Sequence, residues 1–405
     1  MLVYLPVYGL KGKFHTGFFS RFGIIGRKIA FDRPIWIHAV SVGEAVSIKG
    51  LVDGLRKKYP QKKFVITTVT PAGNKIARQL AKEGDFVTYL PFDFSFVVSN
   101  FIRRINPAML VLAETEIWPN LIRCLNKSNI PIAVVNARIS DRSLKGYSIL
   151  KFLVSPVLDK INLFCCQAEV DAQRLARLGV KAQKIQVTGN MKFDACPALE
   201  TGSQDYRKKI NLSQADKLFT CGSTHPGEEE IILRVFKKLQ NDFPGLKLLL
   251  APRHPERAGQ VADLVKSSGF TPLKISQINS DPNYPVFILD TIGQLTHYYA
   301  IADIVFVGGS LIKKGGHNIL EPAALAKPVI FGPQMFNFRD IAGLFIAGRA
   351  AIMVNNEKDL ESALRNILNN PAQAEALGRR ARELIKKNTG ATVKNIELIS
   401  RLCPC

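Results

Sequence analysis

The chain has no paired Cys-x-x-Cys spacing, no low-complexity tract and no apolar run at its start that is long enough to cross a bilayer. Its seven cysteines, at positions 124, 165, 166, 196, 221, 403 and 405, therefore predict reduced thiols in a cytosolic protein rather than a disulfide framework or a zinc site. Apolar residues make up 47% of the 405 positions, which is typical of a globular chain long enough for two domains.

Acidic residues are also scarce. Lysine and arginine number 55 against 33 aspartates and glutamates, and the first 200 residues carry 29 of the bases but only 14 of the acids. Such an excess favours an anionic partner, either nucleic acid or an anionic lipid surface. Because the positive charge is dispersed and no RNA-binding signature appears, we expect a lipid surface and no nucleic acid.

Residues 1–28 are predicted to form a basic, partly apolar segment that associates with membranes. Residues 1–10 are apolar but only about half as long as a membrane span. Residues 11–28 hold five cations and no acid, with phenylalanines and isoleucines between them. This pattern predicts binding to an anionic membrane surface; the alternative is a strand and helix packed on the first domain. No small-residue cleavage site of a signal peptide follows. The cations are Lys11, Lys13, Arg21, Arg27 and Lys28.

Apolar runs alternate with helical patterns along the rest of the chain. We assign residues 29–200 to a first Rossmann-like domain, 201–216 to a linker region, and 217–405 to a second Rossmann-like domain with C-terminal helices. The alternation predicts an α/β protein with two doubly wound parallel sheets in tandem and an inter-domain cleft. Ligands of such sheets bind at the carboxyl ends of the strands.

The most informative stretch is residues 303–333, which reads DIVFVGGSLIKKGGHNILEPAALAKPVIFGP. It predicts a strand, a glycine-rich loop, a helix start and a second strand. Unpaired N–H groups at a helix start hold anions, and glycines let a ligand approach the backbone closely. We interpret this stretch as a nucleotide pocket.

Four motifs follow predicted strands in the first domain, and further motifs recur in the second. Singly, each is weak, because a glutamate at a helix start is more often a cap than a catalyst. The first-domain motifs are HAVSVGE at 38–44, TTVTPAG at 67–73, ETEIWPN at 114–120 and NARIS at 136–140, accompanied by YLPFD at 89–93 and TGNMKFD at 188–194. The second-domain motifs are GSTHPGE at 222–228, APRHPER at 251–257, DTIG at 290–293 and the loop 308–322.

In this order the motifs resemble the 3-deoxy-D-manno-octulosonic acid (Kdo) transferases of lipopolysaccharide synthesis, over roughly residues 20–345. The resemblance implies a GT-B fold and inverting transfer of Kdo from CMP-Kdo to a lipid A precursor (lipid IVA), with no metal ion or other cofactor. It also implies a place at the cytoplasmic face of the inner membrane, peripheral or N-terminally anchored. Family members usually begin with a longer apolar anchor, so we expect either an incomplete N-terminus or a weaker hold on the membrane.

For the first domain, the resemblance assigns the general base to Glu44. Glu114 and Glu116 are the competing candidates for this role. We otherwise take Glu114 as a second catalytic carboxylate and Glu116 as a structural one that holds Arg138. A helix start would lower the basicity of Glu44, whereas burial would raise it, and the sequence leaves the outcome open. The residues expected to bind the acceptor or to support the site structurally are Ser41, Gly43, Thr70, Glu116 and Arg138.

For the second domain, Arg253 is expected to bind the phosphate, because its planar fork suits oxyanions. Backbone N–H groups from Gly315 to Asn318 are expected to assist it. The resemblance to other GT-B enzymes implies that Glu321 accepts the ribose hydroxyls. The full set of expected donor-binding residues is Ser223, Arg253, Gly308, Gly309, Gly315, Gly316, His317, Asn318 and Glu321. No second histidine or cysteine at ligand spacing accompanies His317, so we expect no zinc there.

Two other functions remain open at this point. One is a GT-B-fold sugar-nucleotide epimerase, which would release its sugar to water and bind no membrane. The other is a non-catalytic module that binds anionic lipid. The number of Kdo units transferred, the acyl-chain preference and the oligomeric state have no signal in the sequence.

Overall fold

The structure, a computed structural model, describes residues 17–23, 32–196, 203–278 and 284–403. It divides into two compact units. Unit 1 comprises Met1–Ala195 together with Asn388–Cys405, and unit 2 comprises Cys196–Lys387. Each unit is built around one parallel sheet, as the alternation of apolar runs and helical patterns predicts.

The sheet of unit 1 has seven parallel strands in the order β3-β2-β1-β4-β5-β6-β7. Its central strands β1, β2, β4 and β5 are buried along their whole length, as expected when helices cover both faces of a parallel sheet. In β1, for example, Ile35, Trp36 and Ile37 are all fully buried. The strands are β1 (Ile35–His38), β2 (Phe64–Thr68), β3 (Phe86–Tyr89), β4 (Met109–Ala113), β5 (Ile132–Ala137), β6 (Leu163–Cys166) and β7 (Ile185–Val187).

Helices alternate with these strands, and several begin at polar caps that the sequence displays. Thr70 and Ser140 each accept a hydrogen bond from the backbone N–H three residues later, which starts a helix after β2 and after β5. The helices are α1 (Val42–Ser47), α2 (Lys49–Lys58), α3 (Pro71–Leu80), α4 (Ser95–Ile105), α5 (Pro119–Lys127), α6 (Asp141–Ile149), α7 (Lys151–Leu158) and α8 (Glu169–Arg177).

The sheet of unit 2 repeats the design with seven parallel strands in the order β10-β11-β9-β8-β12-β13-β14. The two strands predicted within residues 303–333 are confirmed, and they coincide with the apolar runs 304–307 and 329–331. The strands are β8 (Lys217–Thr224), β9 (Leu246–Pro252), β10 (Pro272–Lys274), β11 (Val286–Ile288), β12 (Ile304–Val307), β13 (Val329–Phe331) and β14 (Ile352–Met353).

The remaining helices surround this second sheet or lead back to unit 1. The glycine-rich loop runs from the end of β12 into the short helix α13, as predicted. The helices are α9 (Ser203–Lys209), α10 (Glu228–Gln240), α11 (Ala258–Ser267), α12 (Leu295–Ile301), α13 (Leu320–Ala324), α14 (Arg339–Ala347), α15 (Glu357–Asn369), α16 (Pro371–Asn388) and α17 (Ala391–Ser400).

Two of the predicted domain limits are wrong. Residues 201–216 do not form a separate linker, because α9 lies in unit 2 and Ile210 and Leu212 pack in that unit's core. The C-terminal helix α17 belongs to unit 1 rather than to the second domain. It packs closely on α2, where a Cβ added to Gly54 would lie 2.2 Å from the side chain of Ile396. Asp194 also accepts hydrogen bonds from the N–H groups of Gly390 and Thr392.

Residues 17–23 of the predicted membrane segment are packed against unit 1. Arg21 is buried and donates to the Val69 carbonyl at 2.6 Å, with its guanidinium over the Tyr89 ring. It was expected to face a membrane, and that expectation is wrong for this residue. The other four cations lie outside the described residues. Over the described part of the chain, every helix is too short or too polar for a bilayer crossing.

Candidate active site

Three glutamates gather at the carboxyl ends of β1 and β4, the adjacent central strands of the first sheet. Glu44 lies in the first turn of α1, which follows β1, and Glu114 and Glu116 follow β4. Their charges are coupled, since Glu114 raises the pKa of Glu44, and Glu44 in turn raises that of Glu116. The structure therefore brings together the three carboxylates that the motifs marked.

Glu44 is buried and held by its own loop. One carboxylate oxygen accepts from the Val40 N–H at 2.7 Å, and the other accepts from the Ser41 hydroxyl at 2.8 Å. Burial raises the pKa of Glu44 to about 7, and the charge of Glu114 adds to this effect, against the two hydrogen bonds and Lys192. The net effect is a raised pKa, so the Glu44 carboxyl is partly protonated and partly ionised at neutral pH, the range in which a general base is most effective.

Glu114 sits in a strained backbone conformation and faces a lysine. Its φ of 58° lies in the left-handed region, which costs about 1–3 kcal/mol for a residue other than glycine. The Lys192 ammonium lies 3.4 Å from its carboxylate. The Asn136 side chain, on another residue with positive φ, accepts from the Met191 N–H at 3.0 Å and so positions the loop that carries Lys192.

Lys192 and Asn136 were not among the site residues predicted from the sequence. Lys192 lies in the TGNMKFD motif and Asn136 in the NARIS motif. Their membership of these motifs was the one sequence feature that could have identified them. Nothing in the local sequence pattern indicates that residue 192 lies next to residue 114. Only the parallel order of β4, β5, β6 and β7 brings them to the same edge of the sheet.

Glu116 differs from its neighbours in its ionisation. Burial raises its pKa to about 8, and the charges of Glu44 and Glu114 contribute to this shift. At pH 7 the Glu116 carboxyl is therefore mostly protonated and can donate a hydrogen bond. The expected Glu116–Arg138 contact stays a prediction; the Arg138 N–H donates to the Thr115 hydroxyl at 3.0 Å.

Thr70 and Gly43 support the Glu44 loop in different ways. The Thr70 hydroxyl donates to the Val40 carbonyl at 3.3 Å and accepts from the Gly73 N–H, so it fixes the loop as well as capping α3. Gly43 has no backbone conformation that only glycine can adopt. It lies inside α1 without a positive φ, and a Cβ there would meet nothing within 4 Å. Its exposed position instead leaves open space one residue before Glu44.

In unit 2, the start of the glycine-rich loop is already occupied by a carboxylate of the protein. The fully buried Glu228 accepts from the N–H groups of Gly309, Ser310 and Leu311 at 2.7–2.9 Å. Gly309 is one of the expected donor-binding residues, but its N–H group is already hydrogen-bonded to Glu228. Gly308 is required by packing, because an added Cβ would lie 2.5 Å from the Ser223 carbonyl.

In the second half of the same loop, backbone N–H groups remain available to bind a ligand. Among the described residues, no hydrogen-bond acceptor lies within reach of the backbone N–H groups of Gly315, His317 and Asn318. Gly315 and Gly316 both have positive φ and are buried against Asn337 and Met335, so a side chain would not fit at either position. Because α13 has only five residues, these N–H groups would bind an anion through direct hydrogen bonds rather than through a long helix dipole.

His317 is neutral and held by a partner that the sequence did not reveal. Its Nε2 atom lies 2.9 Å from Nε2 of His225, and the two rings stack at 5.2 Å. Burial lowers the pKa of His317 to about 4, and the nearby Arg253 charge lowers it further. One of the two imidazoles therefore donates to the other, which fixes their tautomers.

Arg253 and Glu321 flank this loop. Arg253 follows β9 with an exposed side chain, and its charge acts on both His317 and Glu321. Glu321 accepts from the Asn318 side chain at 2.9 Å. Burial raises the pKa of Glu321, whereas Asn318 and Arg253 oppose that shift. Ser223 completes the edge at a bulge in β8, with a φ of 56°. The expected donor-binding residues thus share one edge of the second sheet.

Comparisons with known proteins agree with this arrangement. A family model described as 3-Deoxy-D-manno-octulosonic-acid transferase (kdotransferase) matches residues 16–195, and one described as Glycosyl transferases group 1 matches residues 230–384. A glycosyltransferase from Rickettsia africae has a TM-score of 0.61 at 16% identity, covering 92% of this chain and 99% of its own. UDP-GlcNAc 2-epimerase from Neisseria meningitidis also has a TM-score of 0.61, at 14% identity over 91% of this chain and 100% of its own. Both similarities show the GT-B fold alone.

A full-length sequence match is more specific than the fold. The 3-deoxy-D-manno-octulosonic acid transferase of Haemophilus influenzae is 39% identical over 388 residues, which covers 94% of this chain and 90% of the relative. The resemblance carried by the sequence motifs is confirmed. Similarity at this level over almost the whole length of both proteins shows that the chain belongs to the 3-deoxy-D-manno-octulosonic acid transferase family of glycosyltransferases.

Proposed function

We propose that this glycosyltransferase moves Kdo from CMP-Kdo to a lipid A precursor, lipid IVA, with inversion of the anomeric centre. The observation that carries the proposal is Glu44, a buried carboxylate at a strand end whose pKa of about 7 suits a general base. Membership of the Kdo transferase family supports the sugar, and the donor-side loop of unit 2 supports a phosphate-containing donor.

The reaction on the acceptor side needs one proton transfer. Glu44 takes the proton from an acceptor sugar hydroxyl, and that oxygen attacks the anomeric carbon of Kdo. The bond between that carbon and the phosphate oxygen breaks, and CMP leaves with the electron pair. Lys192 holds Glu114 at 3.4 Å, and a protonated Glu116 can donate to an oxygen of a bound reactant. A single displacement of this kind inverts the configuration.

The donor side must hold CMP and receive its developing charge. The N–H groups of Gly315, His317 and Asn318, which have no hydrogen-bond partner within the described ranges, supply hydrogen bonds to the phosphate oxygens together with the exposed guanidinium of Arg253. The Glu321 carboxylate is proposed to accept from the ribose hydroxyls. In this scheme the protein's own cation and N–H groups stabilise the leaving phosphate.

Release of CMP in the presence and absence of lipid IVA tests the proposed function. The full chain is incubated with CMP-Kdo, and CMP is measured over time. CMP release that requires the lipid supports the proposal. Consumption of the donor without lipid would indicate an epimerase-like or hydrolytic activity. No consumption under either condition would indicate a non-catalytic binder.

The pH dependence of kcat should follow the charges around Glu44. Because the base must be ionised and its pKa is about 7, kcat should fall on acidification below pH 7, by about tenfold per unit. Lys192→Gln removes a charge that lowers this pKa, so the midpoint should move to higher pH. Glu114→Gln removes a charge that raises it, so the midpoint should move to lower pH.

The opposite directions of these two shifts make the measurement decisive. Lys181→Gln, at an exposed lysine paired with Asp159, serves as the control and should leave the midpoint in place. If both site variants moved the midpoint in the same direction, the titrating group would not be Glu44.

Activity should survive an excess of EDTA. No Asp-x-Asp motif, the usual carboxylate pair that holds a divalent ion on a nucleotide sugar, occurs in the sequence. Arg253 and the loop N–H groups are proposed to take the place of that ion at the phosphate. Initial rates with and without EDTA provide the measurement, and complete loss restored by Mg²⁺ or Mn²⁺ would contradict the prediction.

We further propose that the protein acts at the cytoplasmic face of the inner membrane, on an anionic lipid surface. A row of six phenylalanine rings supports this, with neighbouring centroids 5.4–6.3 Å apart and five of the six side chains exposed. Exposed aromatic rings of this kind are suited to the bilayer interface. The row consists of Phe18, Phe19, Phe22, Phe92, Phe94 and Phe96.

The positive charges of residues 1–28 should contribute to membrane affinity rather than to chemistry. Replacing Lys11, Lys13, Arg27 and Lys28 with glutamine should weaken binding to anionic vesicles, since each charge contributes about 1 kcal/mol at low salt. Arg21 is left out because it is buried. Transfer to a detergent-solubilised acceptor should change much less. Vesicle co-sedimentation at low and high salt measures the effect.

The control for this variant replaces four exposed lysines of unit 1 with glutamine, at Lys57, Lys58, Lys75 and Lys127. It removes the same net charge and should reduce binding far less. Equal losses in both variants would show that only overall charge matters, and the segment would then lose its proposed role.

A further inference from the structure

The turn between α6 and α7 exposes a cluster of large apolar side chains, here called the apolar corner: Ile149, Leu150, Phe152 and Leu153. Ile149 is 78% exposed and Phe152 is 73% exposed. None of the nine residues of α6 is buried. Soluble proteins seldom leave four neighbouring residues of this size in water, and such patches usually mark a contact with another molecule.

The apolar corner is not a loosely attached element. Leu144, Tyr147 and Val154 of the same two helices pack against the core of unit 1, and Val157 and Leu158 are buried in it. The two helices are therefore fixed by one side, while the corner is presented on the other. Its exposure is a feature of the folded state rather than of a disordered segment.

The charges around the apolar corner select the kind of partner. Arg142, Lys145 and Lys151 are exposed beside it. Asp141 is the one acid in residues 141–158, and it forms an ion pair with Arg174. Apolar side chains framed by unopposed cations match an anionic bilayer, where the chains enter the interface and the cations meet phosphates. An ordinary apolar protein surface would leave three cations without counter-charges.

The helix that leads to the apolar corner begins at the edge of the sheet that carries the three glutamates. α6 starts at the Ser140 cap, directly after β5, at the same edge of the sheet where Glu114 follows the neighbouring strand β4. Phe94 and Phe96, the described aromatic residues farthest along the phenylalanine row, follow β3 near that edge as well. Lipid contacts after both β3 and β5 would flank the strands that carry the glutamates.

We propose that the apolar corner inserts into the interface of an anionic phospholipid bilayer, as a lipid contact of unit 1 separate from residues 1–28. The purpose of this contact, presenting a lipid acceptor to the Glu44 edge, rests on the proposed function. Binding to the bilayer itself does not require turnover and is measured without it.

Two variants of the full chain separate the apolar and the electrostatic parts. The apolar variant is Ile149→Ser with Phe152→Ser, and the charge variant replaces Arg142, Lys145 and Lys151 with glutamine. Val393→Ser is the matched control, because Val393 is 60% exposed on α17 of the same unit. All altered side chains are exposed, so each variant should keep the thermal stability of the wild type.

Co-sedimentation uses vesicles of phosphatidylcholine alone and vesicles of phosphatidylcholine with phosphatidylglycerol, at about 50 mM and about 500 mM salt. On the anionic vesicles, the apolar variant should bind at least about tenfold more weakly at both salt concentrations. The charge variant should bind more than about tenfold more weakly at low salt and nearly as the wild type does at high salt. Val393→Ser should bind as the wild type does.

Unchanged binding of the apolar variant would overturn the proposal. Sedimentation velocity without vesicles gives the second check: a wild-type dimer that the apolar variant dissociates would show that a second copy covers the corner, which also overturns it. Loss of vesicle binding with normal transfer to a detergent-solubilised acceptor supports both proposals. Loss of vesicle binding in a protein that never transfers Kdo would leave the lipid contact standing and reject the function alone.

Discussion

Replacing Glu44 with glutamine should lower kcat for Kdo transfer by about 10²–10⁴-fold, the usual contribution of a general base. Glutamine keeps the size of the side chain and one oxygen that can accept from Val40 or Ser41. The loss therefore reports proton transfer rather than a collapsed loop. Steady-state transfer to lipid IVA, measured between pH 6 and 9, provides the test.

The fold and the CMP site should be unaffected by this change. Glu44 lies in unit 1, whereas the residues proposed to bind CMP lie in unit 2. Thermal melting and CMP binding should therefore match the wild type within error. Val46→Ala, an exposed position on the same helix, is the control and should retain full activity. A Glu44→Gln enzyme that kept more than about a tenth of the wild-type kcat would reject Glu44 as the base.

Removing Arg253 or Glu321 should weaken the binding of CMP and CMP-Kdo. A hydrogen bond to a charged group contributes about 1.5–3 kcal/mol, so Arg253→Ala should raise the Kd for CMP by about 10–100-fold. Arg253→Lys should recover only part of the affinity, because lysine lacks the planar fork. Isothermal titration with CMP measures both variants.

Glu321 has a distinct signature because it is proposed to bind ribose. Glu321→Ala should bind CMP more weakly and should lose the preference for CMP over its 2′-deoxy analogue. The same change also removes the acceptor of the Asn318 side chain at 2.9 Å, so Asn318→Ala is needed as a comparison. That variant should weaken binding but keep the ribose preference. A Glu321→Ala protein that discriminates as the wild type does would exclude the ribose role.

The alternation of strands and helices was readable because the central strands are buried on both faces. Continuous apolar runs such as 109–113 and 304–307 have few other interpretations, and both are strands in the structure. Polar motifs directly after these runs placed Glu44, Glu114, Arg253 and Glu321 at the edges where parallel sheets bind ligands. Local pattern was sufficient for these features.

Features that depend on distant contacts were not readable. The helical pattern of residues 391–400 does not reveal that α17 packs on α2, because the close approach at Gly54 exists only in the folded unit. In the sequence, Glu228 looks like an ordinary acidic residue in the first turn of a helix. In the structure, it accepts hydrogen bonds from the N–H groups of a loop 81–83 residues away. Arg21 looked like a surface charge for the same reason, since its acceptor is the carbonyl of Val69.

The ionisation of the glutamates could be predicted only in part from the sequence. Sequence reasoning identified both opposing effects on Glu44 but could not weigh them, because the weight of each depends on burial. Burial at the end of β1, with Glu114 nearby, decides the outcome and raises the pKa to about 7. The same surroundings leave Glu116 mostly protonated at neutral pH.

The anomeric configuration of Kdo on the lipid product tests the central claim most directly. The full chain is incubated with CMP-Kdo and lipid IVA, and the product is examined by nuclear magnetic resonance. Direct attack by a hydroxyl that Glu44 has deprotonated predicts one configuration, opposite to that in CMP-Kdo, with one CMP released for each Kdo on the lipid. A retained configuration, or Kdo found free in solution while the lipid stays unmodified, would contradict the account.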